Sequence, residues 1–342
     1  VSFVEDFDEY LLYLNEIIPA PIDMITTYVN EVYEEMAEHA GAATPILFDI
    51  NKPDDVTIAP HHDFICSTEP INRNVKSSIE KSCLYGVFPR TRKPVKLYDH
   101  FVENEKQYLF PKSREHYGSN IECCISDEKL NYIIDVVTND ILSASVQNIG
   151  KRVASYEEAI LGAPDLFMIS LGMKTSCGFT LNLIKNKLGL KGKGKTWIFG
   201  DGESPDLNTR RAKIVKKLVL KNIERCKEGI PFPNIYGDNL KDELRELGKY
   251  PRLFCSGDML KLIADKMYLG SFTGSIYVNR VRNGIAIGVN PTSGEWDSLY
   301  DRLVNNSDDA IFGDFGKFDK KMTLSLIRAT EVLVVKFYGD DD

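Results

Sequence analysis

The sequence predicts an α+β fold, on three observations. Several stretches carry apolar residues at helical spacing, several short apolar runs sit between glycine, proline or polar residues, and no repeat or low-complexity tract organises them. With 342 residues, 43% hydrophobic and 27% charged, the chain can bury one large core or two modest ones. Such a composition does not predict disorder.

Taken in order, residues 6–18 and 23–39 read as two helices broken at Pro19-Ala-Pro21, since proline lacks the amide that a helix interior needs. Gly41 ends the second, and the Pro/Asp-rich stretch 51–60 suggests a boundary near residue 58. Residues 130–150 place Ile133, Ile134, Val137, Ile141, Leu142 and Val146 at helical spacing before a terminal glycine. A helical, lysine-rich stretch occupies 181–188. Another helix is predicted over 208–226, capped by Asn208 or Thr209, with Ile214, Leu218, Val219 and Ile223 on one face and a strongly basic face opposite. Residues 197–199, 252–255, 284–289 and 310–312 read as strands. Residues 320–337 read as a last helix that buries Met322, Leu326, Leu333 and Phe337.

Several function classes are disfavoured. The chain begins at Val1 without a basic start, apolar core and small-residue cleavage site, which fits a piece of a longer precursor better than a secreted protein. No run of about 18 uninterrupted apolar residues is present, so no intrinsic membrane anchor is expected. Seven scattered cysteines without C-x-x-C spacing suggest neither a disulfide framework nor a structural zinc site, and a reducing, cytosolic setting follows. His61-His62-Asp63 has ligand chemistry but not the usual spacing, and a solvated loop is the plainer reading. The net charge of −8 argues against indiscriminate nucleic-acid binding. Its distribution is uneven: from Lys174 to Lys221 twelve Lys or Arg face three acids, a local +9 against −17 for the remainder. That stretch is either a surface for an anionic partner or a solvated helix face.

Gly189-Leu-Lys-Gly-Lys-Gly194-Lys195-Thr196 spells the phosphate-loop pattern G-x-x-x-x-G-K-[ST]. That mechanism needs a strand before the loop and a helix opening at the lysine, so that the helix N-terminus faces phosphate. Here a helical stretch comes first and a strand-like one after, so the segment reads as a flexible basic loop rather than an NTPase site.

Ile311-Phe-Gly-Asp314-Phe-Gly-Lys-Phe-Asp319-Lys-Lys sets two carboxylates five positions apart, where an apolar run enters a turn and then a helix. Asp314, at a strand end, suits Mg²⁺, which prefers a few carboxylates, water and phosphate to a closed protein cage. Asp319, past the turn, can reach a nucleotide sugar, whose 2′-OH separates RNA from DNA precursors. Alone, the spacing Asp-x4-Asp is a weak signal.

The stretch resembles the first palm motif of picornavirus-like RNA-dependent RNA polymerases, which share the apolar lead and an aromatic before the second aspartate, as in Phe318-Asp319. Lys241-Asp-Glu-Leu-Arg245, then Gly248-Lys249-Tyr-Pro-Arg252, resembles their fingers motif K-D-E-L-R followed by K-T-R, with Tyr250-Pro251 where the family has one Ser or Thr. Cations there suit phosphoryl chemistry, because they neutralise charge that builds up in a site kept from water. Thr175-Ser-Cys-Gly178-Phe resembles the element beside the template strand, with Thr180 in place of proline. Lys76-Ser-Ser-Ile-Glu-Lys-Ser82 with residues 89–97 resembles the fingertip of dicistrovirus- and iflavirus-like enzymes, and Ala286 to Trp296 resembles their turn and helix before the first palm motif. The segments keep family order and cover about residues 60–337.

The resemblance implies a right-hand polymerase fold: residues 1–58 a helical extension or part of a neighbouring polyprotein segment, 59–305 fingers, and 306–342 the start of the palm. It further implies an RNA-directed RNA polymerase, a nucleotidyltransferase in which Asp314 and Asp319 are catalytic and Asp314 holds Mg²⁺ or Mn²⁺. Lys241, Arg245, Lys249 and Arg252 would meet the incoming NTP, and Thr175, Ser176 and Gly178 the template. Template and nascent RNA, NTPs and other viral replication proteins are the implied partners, in the host cytoplasm at membrane-associated replication complexes. The family's S-G-x-x-x-T-x-x-x-N helix and thumb do not follow. Tyr338-Gly-Asp-Asp spells the second metal motif after strand-like Val332 to Val335, but only eighteen residues separate it from Asp319. It reads as an acidic loop after the last helix, or else as a deletion joining two metal motifs. On the first reading the 342 residues are an inactive fragment. A binding module that holds RNA through the 174–221 surface is the alternative.

Overall fold

The computed structural model describes residues 21–37, 77–87, 89, 91–97, 100–102, 105–107, 125–144, 149–202, 204–246, 248–305, 307, 309, 311–316, 318 and 322–339. In chain order these form α1 (Pro21–Met36), β1 (Arg92–Pro94), β2 (His100–Val102), β3 (Glu105–Gln107), α2 (Asp127–Ser143), α3 (Tyr156–Leu161), α4 (Phe179–Lys187), α5 (Thr196–Phe199), α6 (Arg210–Lys227), β4 (Gly237–Leu240), β5 (Leu244–Glu246), β6 (Leu253–Ser256), α7 (Met259–Val278), α8 (Gly294–Val304) and α9 (Leu324–Tyr338). Helices and short antiparallel strands stand side by side without β-α-β alternation, the α+β class expected. Two compact units divide the chain: Val1–Tyr117 with Ser176–Trp197 and Leu220–Met259, and Gly118–Thr175 with Ile198–Val219 and Leu260–Asp342.

In the first unit, α1 opens on Pro21, where a missing amide costs nothing. It buries Tyr28, Val29, Val32, Tyr33 and Met36, one helical face, and packs on α4, whose Leu181 and Ile184 are buried in turn. The Lys187 ammonium sits 5.2 Å over the Tyr33 ring. Glu31 forms ion pairs with Lys221 and Arg225 of α6. The strands form three antiparallel pairs: β1 with β5, β2 with β3, and β4 with β6.

The second unit collects Ile149, Ala154, Ala163 and Leu166 in a core against which Met168 and Val278 pack. Ser155 and Glu158 close a reciprocal capping box at the start of α3. Arg152 bridges Glu158 and Asp165 and holds the Glu158 carboxyl down at about 2. Thr209 caps α6, its hydroxyl oxygen accepting the Ala212 amide at 3.0 Å. At its C-terminal end α9 joins α2 through Lys336 and Asp135, and α7 through Phe337, edge-on to Phe272 with centroids 5.5 Å apart.

Four expectations are corrected. Residues 197–199 are helical, in α5, and buried; a short apolar run looks the same in a strand and in a buried helical turn. Residues 284–289 form turns, because positive φ at Gly284 (79°) and Gly288 (71°) cannot continue a strand. Ile311 and Phe312 lie in no strand, and no described segment pairs with them, without which an extended segment has no ladder. The last helix forms, but Met322 and Leu326 are exposed; its contacts gather at Lys336, Phe337 and Tyr338, and Phe337 is the one residue of the four that is buried. The helix predicted over 130–150 runs as Asp127–Ser143, whereas strand 252–255 appears as β6. Helix 6–18, the boundary near 58 and His61-His62-Asp63 lie outside the described residues.

Candidate functional site

Lys241 to Arg252 lies in a loop that leaves one strand pair and returns to it. β4 and β6 pair with Leu240 opposite Leu253, and the ladder continues one step as the Lys241 amide donates to the Arg252 carbonyl at 2.8 Å. The chain between them forms β5, which pairs with β1 in the register Arg92 to Glu246 and Pro94 to Leu244. The fingertip segment is tied to the same loop twice more. The Val95 amide donates to the Glu243 carbonyl at 3.2 Å. Asp242 accepts from the Ser77 hydroxyl at 2.7 Å, the Ser78 amide at 2.6 Å and the Ser78 hydroxyl at 3.0 Å, which holds its carboxyl below the usual range.

Glu243 is the hub. Its side chain is 12% exposed, and it accepts from Arg252 Nε at 2.8 and 3.0 Å and from an Arg252 terminal nitrogen. Arg245 Nε lies 3.8 Å from the same carboxylate. Arg252 hydrogen bonds first, then the charges of Arg252, Arg245 and Lys241, hold the Glu243 carboxyl below its ordinary value. Two of the four proposed triphosphate residues, Arg245 and Arg252, are therefore drawn to one anion, which also feels the charge of Lys241. Lys249 is exposed on the turn after β5, its amide donating to the Glu246 carbonyl at 3.2 Å.

The segment 175–178, expected to lie beside a template, forms a pinned turn before α4. Ser176 Oγ accepts from the Gly178 amide at 3.1 Å and from Asn182 Nδ2 at 2.7 Å, while the Ser176 carbonyl accepts from Lys195 Nζ at 2.9 Å. The buried Cys177 thiol donates to the Gly194 carbonyl at 3.2 Å, and its own carbonyl accepts the Met259 amide at 3.2 Å. Burial pushes that thiol up. Gly178 has φ 87°, and a Cβ there would stand 2.6 Å from the Gly257 carbonyl oxygen. Ser176 is exposed and Gly178 buried. In the second unit Thr175 is exposed and donates to the Gly172 carbonyl at 2.7 Å.

Lys195 is used from within: 1% exposed, its ammonium pushed down by burial, it supports the Ser176 carbonyl instead of facing a phosphate. A helix, α4, precedes it and the four-residue α5 follows, so the phosphate-loop spelling lacks its strand. Asp314 lies in the exposed stretch 311–316, between Phe312 at 96% and Phe315 at 78% exposure. Asp319 lies outside the described residues, as do Asp340 to Asp342. Tyr338 ends α9 and donates to the Tyr268 carbonyl at 2.5 Å, so Val332 to Val335 are helical and the second metal spelling is not led in by a strand. Among the described residues no three His, Cys, Asp or Glu side chains cluster as a metal site, and no helix is long and apolar enough to cross a membrane.

Sequence reasoning misses Asp242 and Glu243, the acids of the K-D-E-L-R spelling, and the role of Lys195, which the sequence offers only as the lysine of a phosphate-loop spelling.

The chain is similar to several viral proteins. It is 30% identical over 277 residues to the Replicase polyprotein of Drosophila C virus, covering 78% of this chain and 16% of that one. It is 29% identical over 280 residues to the Replicase polyprotein of Cricket paralysis virus, covering 79% and 15%. The chain thus spans about a sixth of the length of these relatives. The structure of a Sicinivirus 3Dpol RNA dependent RNA polymerase is 21% identical, with a TM-score of 0.48 over 67% of this chain and 44% of that one. Residues 82–342, which hold both the Glu243 hub and Asp314, match the profile described as Viral RNA-dependent RNA polymerase, so the chain belongs to that family and its α+β architecture is part of a right-hand polymerase.

Proposed function

We propose that this chain forms the part of a replicase that receives template RNA and the incoming NTP for metal-dependent nucleotidyl transfer. The observation that carries the reading is the gathering of Arg245 and Arg252 around Glu243, on a loop that begins at Lys241 and pairs with the segment 92–94. A triphosphate arriving there meets two guanidiniums already held near one point, with Lys241 on the same loop, which lowers the ordering cost of binding and offsets charge that grows during transfer. Lys249, on the turn, adds a fourth cation. The exposed Thr175 and Ser176 offer polar groups to a template backbone, and the absent side chain at Gly178 keeps the turn tight.

Asp314 and Asp319 are the proposed catalytic acids. An exposed carboxylate such as Asp314 fits Mg²⁺ or Mn²⁺ as a single protein ligand, because these ions complete their shell with water and phosphate. When bound, the ion would polarise phosphate oxygens and orient the attacking hydroxyl. Asp319 reads the ribose 2′-OH. The 342 residues hold one such motif in full, and two-ion transfer needs carboxylates from a second, so the isolated chain is expected to bind RNA without extending it. Partners in the complete assembly are template and nascent RNA, NTPs and other viral replication proteins, at membrane-associated complexes of the host cytoplasm.

The test is Asp314→Ala in the complete polymerase. Primer extension should fall by about a thousandfold, the scale of losing a metal ligand, with RNA affinity nearly unchanged. RNA binding that depends on salt but is indifferent to Mg²⁺ and to Asp314, together with retained extension, would instead favour a binding module.

A further inference from the structure

Two side chains outside the turn 176–178, those of Lys195 and Asn182, decide what it can offer a ligand. Ser176 is exposed, yet its carbonyl accepts from the ammonium of Lys195, a residue only 1% exposed, at 2.9 Å. The loop that carries Lys195 is tied to the same region twice more. The Cys177 thiol donates to the Gly194 carbonyl at 3.2 Å, and the Lys185 ammonium of α4 donates to the Gly192 carbonyl. The Ser176 hydroxyl oxygen, for its part, accepts from the Gly178 amide at 3.1 Å and from Asn182 Nδ2 at 2.7 Å. A hydroxyl has two acceptor positions and one proton. Both acceptor positions are filled, so what Ser176 has left for a ligand is its proton. Such a group suits an oxygen that only accepts, as a phosphodiester oxygen does, and the two bonds it accepts polarise it toward stronger donation.

We infer that Lys195 and Asn182 are positioning residues for the template strand: they fix Ser176 so that its hydroxyl donates to a phosphate oxygen of the RNA backbone. The inference rests on the polymerase reading of that turn. Neither Lys195 nor Asn182 touches RNA; each acts through Ser176, much as outer-shell groups orient those in contact with a ligand. A cation that meets phosphate directly releases counterions and steepens the salt dependence of binding by about 0.7 per contact on a single strand, whereas one that acts from beneath the turn does not.

The experiment measures the affinity of the 342-residue chain for a single-stranded oligoribonucleotide over a range of salt concentrations. Lys195→Met keeps the length of the side chain and removes its ammonium, and Asn182→Leu keeps the shape and removes the amide. Each should weaken binding about fivefold, the scale of one hydrogen bond, with the salt slope unchanged. Ser176→Ala should weaken it at least as much, and adding Asn182→Leu to it should change nothing further, because that amide works through the lost hydroxyl. Amide exchange at residues 177–179 should quicken in Lys195→Met and in Asn182→Leu while residues 244–246 stay as they were. In the complete polymerase the KM for template should rise while the KM for NTP holds, a split that general loss of folding does not produce. Where Lys195→Met does not fold, Asn182→Leu, at a half-buried position of α4, decides. A salt slope that falls by about 0.7 in Lys195→Met would make that lysine a phosphate contact and overturn the inference. Unchanged affinity in Asn182→Leu would overturn it too, as would an Asn182→Leu effect that survives in Ser176→Ala. A wild-type chain that binds no RNA overturns the polymerase reading instead, and with it the donor role of Ser176; the exchange arm then still decides whether Lys195 and Asn182 hold the turn.

Discussion

Around Glu243 the candidate residues are secured several times over, by a bidentate arginine, a second arginine, a strand pair and two serines on the neighbouring Asp242. Around Asp314 the described chain is open: Ile311 and Phe312 are almost fully exposed, and a Cβ added at Gly313 would meet nothing within 4 Å. Both stretches carry spellings of similar quality. The difference is in what each needs to become a structure. The cationic loop closes on segments within its own unit, whereas a lone apolar run gains a ladder only from a partner strand. A motif's legibility thus says little about whether its geometry is locally secured.

The sharpest test of the contrast between secured and open segments is to add one methyl group at the 176–178 turn, which shares a unit with the Glu243 loop, and one beside Asp314. Gly178→Ala meets both positive φ and a backbone atom at 2.6 Å, and should cost about 2–4 kcal/mol of stability by urea unfolding. Gly313→Ala should change it by no more than about 0.5 kcal/mol. Equal effects would mean that the 311–316 stretch is as tightly held as the template turn. A smaller effect is expected from Glu243→Gln, which keeps the shape but loses the charge that gathers the cations. Stability should fall by about 1 kcal/mol, and in the complete polymerase the KM for NTP should rise about tenfold with kcat less affected. A KM that stays put would remove the hub from substrate binding.

The smallest effect is that of acid. The folded-state carboxyls of Asp242 and Glu243 are lowered, so their contribution is present above the unfolded values of 3.8 and 4.5 and is lost as pH falls through the lower folded ones. The urea midpoint should therefore drop on going from about pH 6 to about pH 3, and less so at high salt. In a Glu243→Gln, Asp242→Asn chain the drop should shrink; an identical drop would assign acid sensitivity elsewhere, for example to Glu158, whose carboxyl Arg152 holds at about 2.

Much of this was legible beforehand. Helical periodicity found α1, α2, α4, α6 and α9, and of the two caps that residue type offers before α6, Asn208 and Thr209, the structure uses Thr209. What failed was the reading of short apolar runs. Trp197 to Phe199 became a buried helical turn and residues 284–289 became turns, because three to six apolar residues fit several backbones and only tertiary neighbours choose among them. At the site, the cations were legible as charge but their hub was not. Glu243 reads as one acid among fifty Asp and Glu until β5 and β6 turn it toward Arg245 and Arg252. Likewise Lys195 spelled a phosphate ligand, and only its burial shows that it serves the Ser176 carbonyl.

The tie between Ser77 and Asp242 also sets an order of events during synthesis. The two residues are 165 apart in sequence, so at ribosomal speed Ser77 waits about 8–33 seconds for its partner to be made. Through that interval β1 is a strand edge without its β5, open to mispairing with any extended chain nearby. The loop 241–252 is consequently a late assembly step, and variants that slow the arrival of β5 should lower the yield of folded chain more than its final stability.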